Sequence, residues 1–152
     1  MYLKQNADIQ RKFVVWEIFK DMGLKQQKVG KSWEEEIMET YFKKGYYVEK
    51  RPTQNTGTVY DILVSRSGSV MFIEAKHIVG DKLYYKGSGL YKKRDELDNF
   101  VKKTNNNIYM FVKSDITGRF FTTWVNAKKI FEEKGYINRE DCIYMGDEFF
   151  EN

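Results

Sequence analysis

The chain has 152 residues, a length that fits one domain able to bury its own core, and its single cysteine, Cys142, excludes an internal disulfide. Its 26 basic and 22 acidic residues give a net charge of +4, which permits a polyanionic partner without requiring one. No apolar run reaches the length of a membrane span, and the opening residues, MYLKQNADIQRKF, are too highly charged for a secretory signal. We therefore expect an intracellular, reducing location, which is the cytoplasm, or the host cytoplasm for a virus-encoded protein.

Two helices are predicted in the first 45 residues. The first ends at about Met22, and the linker LKQQKVGK follows it. The second is capped by Ser32 and ended by Gly45, residues that favour helix starts and stops respectively. A stripe of apolar side chains along the second helix predicts that it packs against the rest of the domain.

The middle of the chain is predicted to form a short strand and a β-hairpin. YYVEKR has the composition of a strand, Pro52 ends it, and the polar segment TQNTG is typical of a mobile loop. The segment GTVYDILVSRSGSVMFIEAKHI, residues 57–78, then reads as two apolar strands joined by a Ser-Gly turn. Each strand carries one carboxylate that an apolar strand does not ordinarily contain.

Loops, helices and strands alternate in the second half of the chain. A glycine-containing loop, partly extended near residues 83–85, precedes a helix over residues 90–103. Two apolar strands, NNNIYMFVKS and GRFFTTWV, come next. A helix over residues 127–134 and an edge strand in CIYMGDEFF complete the order. This order predicts the α/β class, with a mixed central sheet flanked by helices around one core.

The hairpin brings its two carboxylates together. If the turn is centred on Ser67 and Gly68, antiparallel partners have residue numbers that sum to 135, and Asp61 is then opposite Glu74. Lys76 lies on the same face of its strand as Glu74, because side chains alternate with a period of two. Opposed like charges need compensation, which a divalent cation with oxygen ligands supplies, while Lys76 can orient water or neutralise a phosphate.

A structural interpretation of the same residues competes with this one. Glu-x-Lys triplets arise by chance, and a second one, Glu132 to Lys134, lies in a predicted exposed helix. The three charged residues of the hairpin could therefore form a surface salt-bridge cluster. The apolar run that ends at Glu74 favours the functional interpretation, because burying a charge that has no partner costs free energy.

Basic and aromatic residues interleave in the loop after the hairpin, a composition that suits phosphate contact and packing against bases or sugars. A solvated lysine-rich loop is the alternative. The basic residues of this segment are Lys82, Lys86, Lys92, Lys93 and Arg94.

Asp61, a twelve-residue gap and the EAK triplet after an apolar strand resemble the core of the PD-(D/E)XK nuclease superfamily. The order and spacing of VGKSWEEEIMETYFKKGYYVEKR, YDILVSRSGSVMFIEAK, LYYK, KKRDELDNFVKK and IYMFVK are similar to those of archaeal-type Holliday-junction resolvases. The resemblance covers about residues 29–124. It implies a restriction-endonuclease-like core over residues 29–125 in a single nuclease domain of residues 1–152. The extra N-terminal helix lies within residues 1–28, and a C-terminal helix and strand lie within residues 126–152.

The resemblance also implies the site residues. Glu34, four residues after Gly30 and eleven before Gly45, corresponds to a helix glutamate that completes the family's acidic site. Tyr60 departs from the family pattern, because it occupies the position of the proline in the superfamily name. The implied catalytic residues are Glu34, Asp61, Glu74 and Lys76, and the implied metal ligands are Glu34, Asp61, Glu74 and the backbone carbonyl of Ala75. Glu35 and Glu36 are interpreted as a helix-cap partner and a surface charge.

A loop hydroxyl and a set of DNA contacts follow by the same resemblance. Thr53, Thr56 or Thr58 can supply the hydroxyl that the family uses before the aspartate. The expected DNA-binding residues are Lys31, Arg51, Thr53, Thr56, Lys82, Lys86, Lys92, Lys93 and Arg94.

The family's activity is thereby an expectation for this chain: a Mg²⁺-dependent homodimer, with Mn²⁺ able to substitute, that nicks four-way DNA junctions symmetrically. Two alternatives stay open, a restriction- or repair-type nuclease and a non-catalytic DNA-binding module on the same fold. His77 is predicted to point away from Lys76, and Cys142 to be a small buried residue.

Overall fold

The structure is a computed structural model that describes residues 31–51 and 59–150. The predicted N-terminal helix and the polar loop with its three threonines lie outside the described residues. The described helices are α1 (Trp33–Lys43), α2 (Arg94–Thr104) and α3 (Trp124–Lys134). The strands are β1 (Tyr47–Lys50), β2 (Ile62–Arg66), β3 (Ser69–Ile78), β4 (Leu83–Tyr84), β5 (Ile108–Ser114), β6 (Gly118–Thr123), β7 (Tyr136–Ile137) and β8 (Ile143–Met145).

A six-stranded mixed sheet forms the centre of the fold, in the order β1-β2-β3-β5-β6-β8. β3 and β5 are parallel and their other neighbours in this sheet are antiparallel. This architecture confirms the predicted mixed α/β class, and β8 lies at the predicted edge. β4 pairs with β7 in a separate two-stranded sheet, and β7 was not predicted because two residues are too few to show a period.

The hairpin register is confirmed. Ile62 pairs with Ile73 and Arg66 with Ser69, and each pair sums to 135. Ser67 and Gly68 form the turn with φ of 52° and 84°, the two positive values that a type I′ turn requires. Asp61 lies one residue before β2, and its backbone N–H donates to the Ile73 carbonyl at 2.9 Å, which is one residue out of the register that would place it opposite Glu74.

The turn geometry predicts that replacing Gly68 lowers the stability of the protein. We expect Gly68→Ala to lower the free energy of unfolding by about 1 kcal/mol, because an added Cβ disfavours the positive φ of 84° while meeting no atom within 4 Å. Gly80→Ala is the matched control, since Gly80 has equally open surroundings without a positive φ. Urea unfolding of both variants measures the difference, and an equal midpoint for the two would contradict this account of the turn.

The expectation of one core is wrong, because the sheet buries apolar side chains on both faces. α2 and α3 cover one face, where Leu97, Ile108 and Trp124 belong to one cluster. α1 covers the other, where Ile37 and Phe111 belong to a second cluster. The strand β5 contributes to both clusters, since its successive side chains alternate between the faces.

Several element boundaries differ from prediction. The strand predicted over Gly118–Val125 ends at Thr123, whose Oγ1 accepts from the Asn126 N–H at 3.2 Å and so caps α3. α3 therefore begins at Trp124, three residues before the predicted start. α2 begins at Arg94 rather than at residue 90, because the segment before it forms turns. Within the described residues, no helix is both long and apolar enough to cross a membrane.

Candidate active site

Asp61 is held at the open end of the hairpin by backbone hydrogen bonding. Its carboxylate Oδ2 accepts from the Ala75 N–H at 2.9 Å, which directs the side chain toward β3. The regular pairing ends at Ile62 and Ile73, so Asp61 and Glu74 lie just beyond it and are not a directly opposed pair of the ladder. The predicted cross-strand pair is thus not formed, but the Asp61 carboxylate still reaches the backbone of Ala75, the residue after Glu74.

Glu74 is the most deeply buried charged group of the site. Its residue is 1% exposed, and Oε1 accepts from Lys93 Nζ at 2.7 Å and lies 3.5 Å from Lys76 Nζ. Its second oxygen, Oε2, is buried with no hydrogen-bond partner among the described residues. A buried carboxylate oxygen in this state is costly, and an added ligand would satisfy it.

Lys76 lies between the acidic site and the loop that precedes α2. Its Nζ donates to the Ser88 carbonyl at 3.2 Å as well as facing Glu74. The two contacts fix the ammonium on the face of β3 that the alternation predicted. The side chain is a quarter exposed, so a substrate can reach it.

Glu34 comes from the first turn of α1, which Ser32 caps as predicted by accepting from the Glu35 N–H at 3.2 Å. Its Oε2 lies 3.4 Å from Lys50 Nζ. Burial raises the pKa of Glu34, and the nearby Asp61 carboxylate raises it further. Glu34 and Asp61 therefore interact electrostatically although they lie on elements distant in sequence.

The same two causes act on Glu74. Burial raises the pKa of its carboxyl, the Asp61 charge adds to that shift, and Lys93 and Lys76 oppose it. Asp61 thus interacts with both glutamates, and the three form one electrostatic group with Lys76 beside it. Perturbed carboxyls of this kind concentrate at functional sites.

The neighbours of Glu34 have other partners. Glu36 Oε2 accepts from Lys113 Nζ at 2.9 Å, and Oε1 pairs with the Arg119 guanidinium. The interpretation of Glu36 as a surface charge is therefore wrong: its side chain is 18% exposed and ties α1 to the sheet. Glu35 is buried at 8% exposure, and its backbone N–H donates to the capping Ser32 Oγ at 3.2 Å.

The position of the Lys93 side chain was not predicted from the sequence. Its position in the basic segment predicted a phosphate contact, whereas its Nζ lies against Glu74. No sequence signal gives this contact, since the loop between β3 and α2 has no periodicity that fixes its path. The rest of the basic segment lies near aromatic rings, with the Lys82, Lys86 and Arg94 cations 4.7, 5.3 and 3.9 Å from the ring centres of Tyr136, Tyr91 and Tyr91.

The remaining residues expected to bind DNA differ in their surroundings. Lys92 is exposed, Lys31 pairs with Glu39, and Arg51 lies over the Tyr60 ring at 4.7 Å. Tyr60 is itself buried against Phe72, which explains how an aromatic residue is accommodated at the position of the family's proline. Thr53, Thr56 and Thr58 lie outside the described residues.

His77 and Cys142 lie apart from the acidic group. His77 Nε2 is 2.8 Å from Asp115 Oδ1 at the surface, on the opposite face of β3 from Lys76 as predicted. Cys142 is half-buried rather than buried, and burial raises the pKa of its thiol to about 12, which disfavours the thiolate at neutral pH.

Carboxylate oxygens that could bind a metal are present, but some of them form ion pairs with lysines. Within residues 31–51 and 59–150, no three carboxylate, histidine or cysteine side chains are arranged to hold a metal ion as they stand. The orphaned Oε2 of Glu74 and the mutual repulsion of the three carboxylates nevertheless fit a cation. Mg²⁺ in particular keeps several waters and takes one or two protein carboxylates, so convergence of three is not required.

Comparison with known proteins identifies the family of the chain. The family model "Archaeal holliday junction resolvase (hjc)" matches residues 25–140, most of the chain. The chain belongs to the archaeal Holliday junction resolvase family. It is accordingly a DNA endonuclease, a hydrolase that resolves Holliday junctions.

The fold comparison agrees with the family assignment of this resolvase. Hjc of Archaeoglobus fulgidus, a Holliday junction resolvase from an archaeal hyperthermophile, superposes with a TM-score of 0.55 at 13% sequence identity. The match covers 77% of this chain and 97% of that one. No curated protein matches the sequence significantly.

Proposed function

We propose that this resolvase cuts four-way junctions through a Mg²⁺-dependent site formed by Glu34, Asp61, Glu74 and Lys76. The observation that carries the proposal is the electrostatic group itself: Asp61 raises the pKa of both Glu34 and Glu74, and Lys76 Nζ lies 3.5 Å from Glu74. A salt-bridge cluster alone would not leave a buried carboxylate oxygen unpaired.

The roles follow from charge and position. Asp61, Glu74 and the Ala75 carbonyl, with Glu34 from α1, would hold the cation, which supplies Lewis acidity and lowers the pKa of bound water. Lys76 orients the attacking water or neutralises charge on the reacting phosphate, because it is fixed beside the carboxylates and still accessible. Mn²⁺ is expected to substitute for Mg²⁺, since both accept hard oxygen ligands.

A homodimer with two such sites would make paired nicks, each leaving a 5′ phosphate and a 3′ hydroxyl. A four-way junction has two-fold related strands, so a symmetric dimer presents one site to each. Family membership supports this assembly. Sedimentation of the protein with and without junction DNA measures it.

Cleavage of a synthetic four-way junction beside a linear duplex of the same sequence tests the function. We expect paired nicks in the junction with Mg²⁺ or Mn²⁺, little cutting of the duplex, and no cutting of either DNA in a chelator. Equal cutting of the two DNAs would instead indicate a restriction- or repair-type nuclease. Binding without nicking at every metal concentration would indicate a non-catalytic module.

The basic segment before α2 makes a separate prediction. Lys86→Gln and Lys92→Gln are each expected to weaken junction binding and to reduce the slope of log affinity against log salt by about 1, because each removes one phosphate contact. Both lysines are exposed. Lys103→Gln is the matched control, since Lys103 is exposed at the other end of α2, roughly 15 Å from Lys93 at the helical rise. An unchanged slope in the first two variants would remove these lysines from the DNA interface.

A further inference from the structure

Lys93 lies in the basic segment before α2 and also contacts the acidic site. It immediately precedes α2, between Lys92 and Arg94 of the basic segment. Its Nζ nevertheless contacts Glu74 Oε1 at 2.7 Å, closer than Lys76 at 3.5 Å, and its side chain is 29% exposed. Among the described residues, Lys93 therefore makes the shortest contact to the buried carboxylate, although its sequence neighbours are predicted to face DNA.

Two ammonium groups now share one carboxylate oxygen. Both interact with Oε1 of Glu74, while Oε2 has no partner among the described residues. A divalent cation at this carboxylate would be repelled by both lysines, and the repulsion is strong because the group is buried. One of the two lysines must move away for the cation to bind well.

Lys93 is better able to move than Lys76. Lys76 lies within the ten-residue strand β3, where it pairs with Val112 of β5, and its ammonium also donates to the Ser88 carbonyl. Lys93 projects from the turn before α2, and the hydrogen bond to Glu74 is the polar contact of its ammonium among the described residues. A flexible four-carbon side chain there can reach outward to a phosphate.

We propose that Lys93 is a positioning residue whose ammonium neutralises the Glu74 carboxylate in the free enzyme. When the cation binds, this ammonium moves from Glu74 to a DNA phosphate. This inference rests on the proposed cation site. Because DNA gives Lys93 a new partner, it removes the competitor from Glu74, so DNA and cation each strengthen the binding of the other. The free enzyme would therefore bind the cation weakly, and the enzyme bound to a junction would bind it tightly.

Calorimetric titration of Ca²⁺ into the full-length protein, with and without an intact four-way junction, tests the coupling without relying on activity. The junction is checked on a gel after each titration to show that it stays uncut. Lys93→Gln is expected to bind Ca²⁺ at least 5-fold more tightly than the natural protein when DNA is absent. The factor by which DNA strengthens Ca²⁺ binding should fall by about 5-fold or more in this variant.

Two variants control for simple loss of charge or of fold. Lys92→Gln removes the neighbouring exposed charge, so it should weaken DNA binding and leave the DNA-free Ca²⁺ affinity unchanged. Lys93→Arg keeps the charge and should titrate like the natural protein, which also makes the test usable if Lys93→Gln proves unstable: tighter Ca²⁺ binding by the arginine variant would overturn the proposal.

The outcomes of this titration distinguish the role of Lys93 from the proposed cation site on which it rests. Equal Ca²⁺ affinity in the natural protein and Lys93→Gln would overturn the role of Lys93 and leave the cation site intact. Absence of Ca²⁺ binding in the natural protein, with or without DNA, would overturn the cation site and this inference together.

Discussion

Asp61→Asn and Lys76→Ala are each expected to lower single-turnover junction cleavage by at least about 10²–10³-fold, the loss seen when one transition-state-stabilising group is removed. Asp61 couples electrostatically to both glutamates, and Lys76 is the accessible ammonium beside them. Neither change removes a residue of the basic segment, so junction affinity measured by gel shift should be kept within about 3-fold, well under the 1.4 kcal/mol that a tenfold change represents.

The chain contains a matched control for this prediction. Glu132 and Lys134 form the same triplet on α3, where Lys134 instead pairs with Asp141 at the surface. Glu132→Gln and Lys134→Ala should therefore cleave junctions at the natural rate. Retained cleavage in Asp61→Asn and Lys76→Ala would refute the assignment of the site.

Glu34→Gln and Glu36→Gln are expected to have opposite effects although the residues are two positions apart. Glu34→Gln should lower cleavage by about 10²-fold or more, since it removes a carboxylate from the acidic group. Its stability should be kept or increased, because burial and Asp61 disfavour the charged form of Glu34 in the folded protein. This combination is typical of a residue kept for function rather than for stability.

Glu36→Gln should keep the cleavage rate of the folded protein and lose stability. It breaks the ion pairs with Lys113 and Arg119, which lie in a largely buried position, at a cost of about 1–3 kcal/mol. Thermal unfolding and single-turnover cleavage of the two variants, measured side by side, give the comparison. Loss of cleavage in Glu36→Gln at full stability would show that the helix carboxylate of the acidic group had been assigned two residues too early.

The parts of the site that lie within one supersecondary unit could be predicted. Ser67 and Gly68 define a turn, the period of two defines the faces, and together they give the register of residues 62–66 against 69–73 and the direction of Lys76. Asp61 departs from that register by one residue. No long-range information is needed for these placements. The hairpin was therefore the most informative stretch of the chain.

Contacts between distant elements could not be predicted from periodicity. Spacing alone left Glu34 beside two neighbours, and only the packing of α1 on the sheet separates it from Glu36. The contact of Lys93 with Glu74 depends on an irregular loop. The start of α3 was missed because Thr123 suits a strand by its branching and a helix cap by its hydroxyl, and the cap was observed.

The location of the cation tests the central claim most directly. Crystals of the full-length protein soaked in Mn²⁺ would be measured by anomalous diffraction. The account predicts a Mn²⁺ peak within about 2–2.5 Å of carboxylate oxygens of Asp61 and Glu74, the range of metal–oxygen bonds. A protein that cleaves junctions with Mn²⁺ but binds the ion away from these two side chains would contradict it.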